Sequence, residues 1–528
     1  MAQRLPWYIC WLIGIILSVW GCARQGWGAG NVILALLIAS VAALVLVLAI
    51  NRLKTRNLAG RDRPGDFAAM APSWRQWQAL NPVYHGELRR AIKFSVPRGK
   101  AILELGCGWG DLLAHLEPAR GVGVDAVEEQ IRHAREEHPT LEFAVGEASA
   151  FETGDKFDYV VATDLINQVE DVQALFEKAR AALTPSGQLI VAWHNSAWEG
   201  VIGLTERLGL KSPSHNRHWI SFVDVENMLE LAGFEVVHHE TRCLCPLDIP
   251  LVRPLLNQVL IRLPILKHFG FADLAVARLA GVPRPEAKVT VLIPCRNEAG
   301  NIAAALERLP RFGREQEVIF VEGNSTDNTW EEVQKAAKTP SVPDFPRQVI
   351  AMQQPGRGKG DAVRAGFDRA TGDILMILDA DLTVQPEELP RFYNALITDK
   401  ADFVNGTRLV YPMDERAMRF LNLLANKGFS VLFTWLLGQP IRDTLCGTKV
   451  LWRDRYLDIV TNREYFGDFD PYGDFDLLFG AAKLRLKIVN LPVHYKERTY
   501  GQTNISRFQG GWLLLRMFLL GIVRLKIY

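Results

Sequence analysis

Four apolar runs in the C-terminal half of the chain each stop at a polar turn whose side chains carry chemistry. Lys288–Ile293 leads into Pro294-Cys-Arg-Asn297-Glu298, and Glu317–Val321 leads into Glu322-Gly-Asn324-Ser325-Thr-Asp327-Asn-Thr329. A third run approaches Pro355-Gly356-Arg-Gly358-Lys359-Gly360-Asp361, and a fourth, Asp373–Leu378, ends in Asp379-Ala-Asp381. Helical stretches follow, at Asn301–Arg308 and from Ala362 onward. Buried strands alternating with helices predict an α/β domain with an open parallel sheet. Such sheets bind ligands where their strand ends converge, so these turns are expected along one edge.

The residue types narrow the chemistry. Two carboxylates one residue apart, Asp379 and Asp381, can grip Mg²⁺ or Mn²⁺, cations that commonly bridge carboxylates to phosphates. Gly358-Lys359-Gly360 offers backbone N–H groups and a compact positive charge to those phosphates. A solvated acidic turn or a plain glycine loop explains each piece alone, but explains both poorly in this strand order.

The same alternation runs through residues 60–245. Ala101-Ile-Leu-Glu104-Leu-Gly106-Cys-Gly108-Trp-Gly110-Asp111 reads as a buried strand, a glycine-rich turn and a helix over Asp111–Leu116. Glycines belong where a turn is tight and a ligand approaches the backbone closely. A second strand, Gly121–Val124, ends in Asp125, 21 residues after Glu104. An acid there can take both hydroxyls of a ribose.

The remaining sequence frames these two domains. The chain has 528 residues, 48% of them hydrophobic, which excludes disorder as the main theme. Its 60 basic and 59 acidic side chains leave a net charge of +1, so no nucleic acid partner is expected. Residues 1–50 hold no Asp or Glu, and Trp7–Ala23 and Val32–Ile50 are uncharged apolar runs of 17 and 19 residues. The second would span roughly 28 Å, close to a hydrocarbon core. Arg52, Lys54, Arg56, Arg61 and Arg63 follow, and the positive-inside rule keeps such a cluster cytoplasmic. Residues 1–55 are therefore expected to form a transmembrane helical hairpin in a membrane, the bacterial inner membrane by preference, with both soluble domains cytoplasmic. A signal peptide is the competing reading, but the second run behaves as a stop-transfer segment. Seven scattered cysteines, with Cys243-Leu-Cys245 lacking metal-knuckle spacing, read as reduced thiols. Residues 246–286 are Pro-punctuated and apolar, and read as a helical connector.

Residues 60–245 resemble the class I S-adenosylmethionine-dependent methyltransferases, a Rossmann-like fold. Ile102–Gly110 matches their first motif, Asp125 their ribose acid, and Gly146-Glu147-Ala148-Ser149 the segment beside the adenine. Phe157–Ala162 and Leu183–Val191 match the later strands. The resemblance implies S-adenosylmethionine held by Glu104, Gly106, Gly108, Gly110, Asp125 and Glu147. The segment Asp164–Asp171 lacks the His of many small-molecule members, which leaves His194, His215 and His218 as candidate bases.

Residues 287–528 resemble the GT-A fold of the family-2 glycosyltransferases, and within them the polyprenyl (dolichyl) phosphate sugar transferases. Asp443-Thr-Leu-Cys446-Gly447-Thr-Lys449 resembles their acceptor-side motif, and Arg498-Thr-Tyr-Gly501-Gln-Thr503-Asn504 a late Arg-x-x-Gly element. The resemblance implies a metal-dependent, inverting hexosyl transfer from a nucleotide-sugar donor. Pro294, Asn297, Glu298, Glu322, Lys359 and Asp379 would bind the donor, Asp379 and Asp381 the metal, and Asp443, Asp381 and Arg498 would serve catalysis. Val321-Glu322-Gly-Asn324-Ser325 replaces the usual Val-Asp-Asp-Gly-Ser, so the donor base stays open.

A phosphate acceptor is already ionised at neutral pH and needs cationic positioning, whereas a hydroxyl acceptor needs a carboxylate base. Arg408, Arg419 and Arg498 are candidates to hold a polyprenyl phosphate or lipid-linked glycan acceptor, with Arg419, Asn422 and Asn426 on one helix face. Asp443 is the base candidate for a hydroxyl. Asp468, Asp470, Asp474 and Asp476 form either an acidic loop or part of the site. Residues 498–528 hold five basic residues and no acid around short apolar clusters, which suits a helix lying on the membrane. The expectation is a membrane-associated bifunctional transferase whose methyltransferase domain acts on a sugar or lipid of the same pathway. The alternative is a hydroxyl-acceptor glycosyltransferase with a non-catalytic methyltransferase-like scaffold.

Overall fold

A computed structural model describes residues 78, 82–207, 218–249, 251–263, 265–339, 344–410, 420–466, 473–496, 498, 500 and 507–527. Two seven-stranded sheets organise them.

The first sheet has the order β3-β2-β1-β4-β5-β7-β6. Its strands are β1 (Ala101–Leu105), β2 (Arg120–Asp125), β3 (Glu142–Val145), β4 (Phe157–Thr163), β5 (Leu183–His194), β6 (Phe234–Arg242) and β7 (Ala272–Leu279). Strands β3, β2, β1, β4 and β5 are mutually parallel, with Leu103 opposite Val122 on one side and Val160 on the other. The winding reverses between β1 and β4, which opens a crevice at their carboxyl ends. Helices α1 (Pro82–Ser95), α2 (Asp111–His115), α3 (Glu128–Glu137), α4 (Val172–Ala182), α5 (Glu199–Arg207) and α6 (Phe222–Leu231) accompany it. Asp171 caps α4 by accepting the Ala174 N–H, and Ser221 with Asp224 forms a capping box on α6.

The second sheet has the order β10-β9-β8-β11-β13-β12-β14. It is built from β8 (Lys288–Cys295), β9 (Glu315–Glu322), β10 (Arg347–Gln353), β11 (Ile374–Ile377), β12 (Phe403–Thr407), β13 (Lys449–Trp452) and β14 (Ile488–Pro492). The first four are parallel, and β13 runs antiparallel to both β11 and β12. Alternate residues feed two cores: Leu292, Ile319, Val321, Leu375 and Ile377 enter one, while Val291, Ile293, Val318, Phe320 and Met376 enter the other. Helices α7 (Ile302–Glu307), α8 (Thr329–Ala337), α9 (Lys359–Arg369), α10 (Leu389–Ile397), α11 (Phe420–Leu437), α12 (Arg453–Thr461), α13 (Asp474–Lys483) and α14 (Arg507–Gly521) complete this half. The sheet again reverses direction, between β8 and β11.

Two expectations need correction. No helix among the described residues is long and apolar enough to cross a membrane. The hairpin expected over residues 1–55 lies wholly outside the described residues and finds no support among them; the architecture described is two α/β domains. The stretch 246–286 is not wholly a helical connector either, because Ala272–Leu279 is a fully buried strand between β5 and β6. Asp273 and Arg278 interrupt its apolar run, which disguised it, yet both are buried beside partners. Asp273 Oδ1 lies 2.9 Å from His239 Nε2, and Arg278 Nη2 lies 3.3 Å from Glu235 Oε2.

Candidate functional site

In the first domain the turn after β1 places Gly106, Gly108 and Gly110 at φ of +73°, +53° and +75°, a region that side-chain-bearing residues rarely adopt. The Gly108 N–H donates to Asp125 Oδ2 at 2.9 Å, and the Val127 N–H donates to Oδ1 at 2.9 Å. The β2 acid is thereby fixed against the glycine turn. Burial pushes the Asp125 carboxyl up, with those two amides opposing. Glu104 is buried, and Oε2 accepts the Leu113 N–H at 3.0 Å. Burial pushes its pKa up to about 8. A cleft of about 1260 Å³ is lined by Glu104, Gly106, Gly108, Asp125 and Glu147, bringing together five of the six residues expected at the cofactor. Gly110 packs instead against Phe143: a Cβ there would lie 2.6 Å from the ring. A backbone free of side chains, a ribose-type acid and a cleft of this size fit S-adenosylmethionine.

The cleft also involves residues that the motifs did not flag. Asp164, just past β4, has φ +54° and accepts a hydrogen bond from the Tyr84 hydroxyl of α1. The Tyr84 ring stacks on His194 (centroids 5.4 Å apart, 6° between planes) and meets His85 edge-on at 5.1 Å. His194 Nδ1 is 3.8 Å from Asp164 Oδ1. His85 and Asp164 line the cleft. Of the other candidate bases, His218 has Nε2 on the Val169 carbonyl at 3.1 Å, and His215 lies outside the described residues. A helix preceding β1 has no place in the glycine motif, so only an adjacent Tyr-His pair on α1 signalled its involvement.

In the second domain the four strand-end turns do meet. Lys359, at the first turn of α9, lies 2.6 Å from Asp379 Oδ1, and Arg498 Nη2 lies 2.7 Å from Asp381 Oδ2. Asp381 Oδ1 also accepts the Thr383 hydroxyl at 2.8 Å and its N–H at 3.1 Å. Arg498 Nη1 is 3.6 Å from Glu298 Oε1. Burial pushes Asp379 up, but the Lys359 ammonium outweighs it and holds the carboxyl below its ordinary value. Lys359 in turn is raised: Asp379 and Asp474 outweigh its desolvation. Gly447 packs on the Lys359–Asp379 pair so closely that a Cβ would fall 2.0 Å from Asp379 Oδ2. Two hard carboxylates at this edge, beside cations suited to phosphate, fit a Mg²⁺ or Mn²⁺ shared with a diphosphate.

The residues expected on the nucleotide side brace one another. Asn297, at φ +55°, accepts the Thr326 N–H at 2.8 Å, which ties the β8 turn to the β9 turn. Pro294 lies opposite Val321 in the sheet, and Glu298 N–H donates to Thr329 Oγ1 at 3.0 Å. Glu322 is buried and accepts the Ser325 N–H, so it closes its own loop. Asp361 Oδ2 accepts the Gly356 N–H at 2.8 Å, closing the glycine loop ahead of α9.

The acceptor-side candidates have a different arrangement. Asp443 is 1% exposed and forms a two-pronged pair with Arg408: Oδ2 with Nε at 2.7 Å and Oδ1 with Nη2 at 2.9 Å. Arg419 lies outside the described residues, as do Asp468 and Asp470. Asp474 is buried and pairs with fully buried Lys449 at 3.0 Å, while Asp476 pairs with Arg463 at 2.8 Å. Those two acids are thus internal ion-pair partners.

Comparison with known proteins follows the same division. A family model described as glycosyl transferase family 2 matches residues 290–454, and one described as a methyltransferase domain matches residues 80–239. Glycosyltransferase AglJ of Haloferax volcanii is 29% identical over 249 residues, 47% of this chain and 73% of that protein. An undecaprenyl-phosphate 4-deoxy-4-formamido-L-arabinose transferase of an Enterobacter species is 27% identical over 227 residues, 42% of this chain and 63% of that protein. The chain thus spans less than two thirds of the length of the Enterobacter relative. Among solved structures, a SAM-dependent methyltransferase from Thermotoga maritima aligns at 17% identity and a TM-score of 0.32, covering 40% of this chain and 97% of that one. One from Mesorhizobium loti aligns at 22% and 0.29, covering 36% and 95%. This chain therefore joins a methyltransferase domain to a family 2 glycosyl transferase domain.

Proposed function

We propose that the second domain moves a sugar from a nucleotide-sugar donor onto a polyprenyl phosphate at a membrane surface, and that the first domain methylates a sugar or lipid of the same pathway with S-adenosylmethionine. The observation that carries the glycosyl transfer is the meeting of Asp379, Asp381, Lys359 and Arg498 at one sheet edge through ion pairs of 2.6 and 2.7 Å. In this reading Lys359 and Arg498 hold the donor's phosphate oxygens, and the loop that ends in Gly447 covers them. Asp379 and Asp381 would hold Mg²⁺ or Mn²⁺, which offsets the charge that the departing nucleoside diphosphate acquires. The acceptor phosphate, already ionised, attacks the anomeric carbon with inversion. A phosphate is favoured over a hydroxyl because Asp443, the carboxylate a hydroxyl would need, has both oxygens engaged by Arg408. We assign Asp443 and Arg408 a positioning role beneath the acceptor-side loop. The polyprenyl phosphate assignment also draws on the undecaprenyl phosphate for which the Enterobacter relative is named.

The purified full-length chain, given Mg²⁺ or Mn²⁺, a nucleotide-sugar and polyprenyl phosphate, should release nucleoside diphosphate. Asp381→Asn should reduce that release by at least about 100-fold. Full activity in that variant would sink the cation assignment.

A further inference from the structure

We infer that His85 is the group that takes the proton from the methyl acceptor, and that the acceptor is therefore a hydroxyl or an amine. This rests on the reading of the first domain as an active methyltransferase. His85 lines the same cleft as Glu104 and Asp125, and so does Asp164. Tyr84 contacts both His85 and Asp164. Its hydroxyl donates to Asp164, its face covers His194 and its edge abuts His85. His194, the base candidate drawn from sequence, sits behind the Tyr84 ring and is not among the cleft-lining residues.

The groups that face His85 fix its charge. Burial lowers its pKa; Asp164, at the end of β4, opposes this, while Arg89 on its own helix and His194 at the end of β5 reinforce it. The ring is neutral at physiological pH and can accept a proton. An ionised carboxylate acceptor would need no such base, whereas a hydroxyl or amine must lose a proton as it is methylated. In the step, the acceptor heteroatom forms a bond to the methyl carbon and the sulfonium carbon–sulfur bond breaks, its pair staying on sulfur. The acceptor proton passes to His85. Asp164, with a non-glycine φ of +54° and the Tyr84 hydrogen bond, is a positioning residue that steadies the imidazolium so formed.

Diethyl pyrocarbonate acylates only unprotonated, accessible imidazole, so its reaction with the full-length chain, followed by peptide mass spectrometry over about pH 5 to 8, reads His85 directly. The midpoint at His85 should fall below the ordinary value of about 6.5. S-adenosylhomocysteine should slow the reaction at least about tenfold. Asp164→Asn should lower the midpoint further and Arg89→Gln should raise it, opposite shifts that a generally disturbed fold would not produce. With methyl-labelled S-adenosylmethionine and a lipid extract as acceptor pool, His85→Gln should lose about 100-fold of incorporation. Binding of S-adenosylhomocysteine without protection of His85, a midpoint at or above the ordinary value, or undiminished incorporation by His85→Gln overturns the inference. Failure of S-adenosylhomocysteine to bind at all instead overturns the methyltransferase reading beneath it.

Discussion

Arg408 and Asp443 hold each other through two parallel N–H···O contacts of 2.7 and 2.9 Å, and Asp443 also accepts the backbone N–H groups of Arg408 and Leu445. A residue expected to hold an acceptor anion and a residue expected to act as a base thus neutralise one another inside the protein. Asp443→Ala leaves a buried guanidinium without its counter-charge, and should cost about 3–5 kcal/mol. Burial alone would push the Asp443 carboxyl up, but Arg408 holds it below its ordinary value. A depressed carboxyl contributes stability above its unfolded pKa of about 3.9 and loses it as pH falls through the lower folded value. The gap between wild type and variant in denaturant unfolding should therefore persist down to about pH 4 and narrow only below it.

Gly447 gives a test of the donor edge that leaves the charges in place. Its missing side chain makes room for the Lys359–Asp379 pair, since an added Cβ would lie 2.0 Å from Asp379 Oδ2 and 2.3 Å from Lys359 Nζ. Gly447→Ala must push that pair apart. Nucleoside diphosphate release should drop by about 100-fold, while the unfolding midpoint shows only the cost of a local shift, about 1–3 kcal/mol. Unchanged turnover would mean the pair is not part of the site.

Both sites were legible wherever chemistry sits at the end of a buried strand. Gly106 to Asp125 in one half and Asp379 to Asp381 in the other follow from local sequence, because strand, turn and helix are contiguous there. What stayed hidden was set by long-range packing. The engagement of Asp443 by Arg408 depends on two residues 35 positions apart, and the pairing of Lys449 with Asp474 converts an apparent acidic loop into an internal ion pair. Strand β7 was missed because Asp273 and Arg278 break its apolar pattern, and their partners His239 and Glu235 come from β6. Tyr84 and His85 belong to no motif; the fold alone brings His85 to the cleft and Tyr84 against Asp164 and His194.

Glu104 predicts an unusual pH response of the methyltransferase domain. Its pKa stands at about 8 because burial disfavours the charged form more than the Leu113 amide stabilises it. A raised carboxyl keeps its proton in the folded state while the unfolded chain ionises above about pH 4.3, so folding loses stability as pH climbs from there to about 8. Glu104→Gln removes that loss. The variant should match wild type near pH 5 and unfold at a higher temperature near pH 8. Parallel curves at both pH values would show that Glu104 is ionised throughout.

The last helices supply a test of the membrane-surface reading. Trp512, Leu515 and Leu519 stand on one face of α14 at spacings of three and four, with Trp512 69% and Leu519 53% exposed. On α11, Val431, Leu432 and Trp435 are exposed as well. The two helices pack through Trp435 and Phe518, whose ring centroids are 6.2 Å apart, and Lys526 Nζ lies 5.4 Å from the Trp435 ring centroid. Apolar side chains beside basic ones suit an anionic lipid surface, where burying each large side chain gains roughly 1.5–3 kcal/mol. Trp512→Glu with Leu519→Glu should therefore weaken co-sedimentation with anionic vesicles by at least about tenfold. Turnover of a short-chain, water-soluble polyprenyl phosphate should remain unchanged, because neither residue belongs to the donor edge. Undiminished vesicle binding would remove this face from the membrane surface.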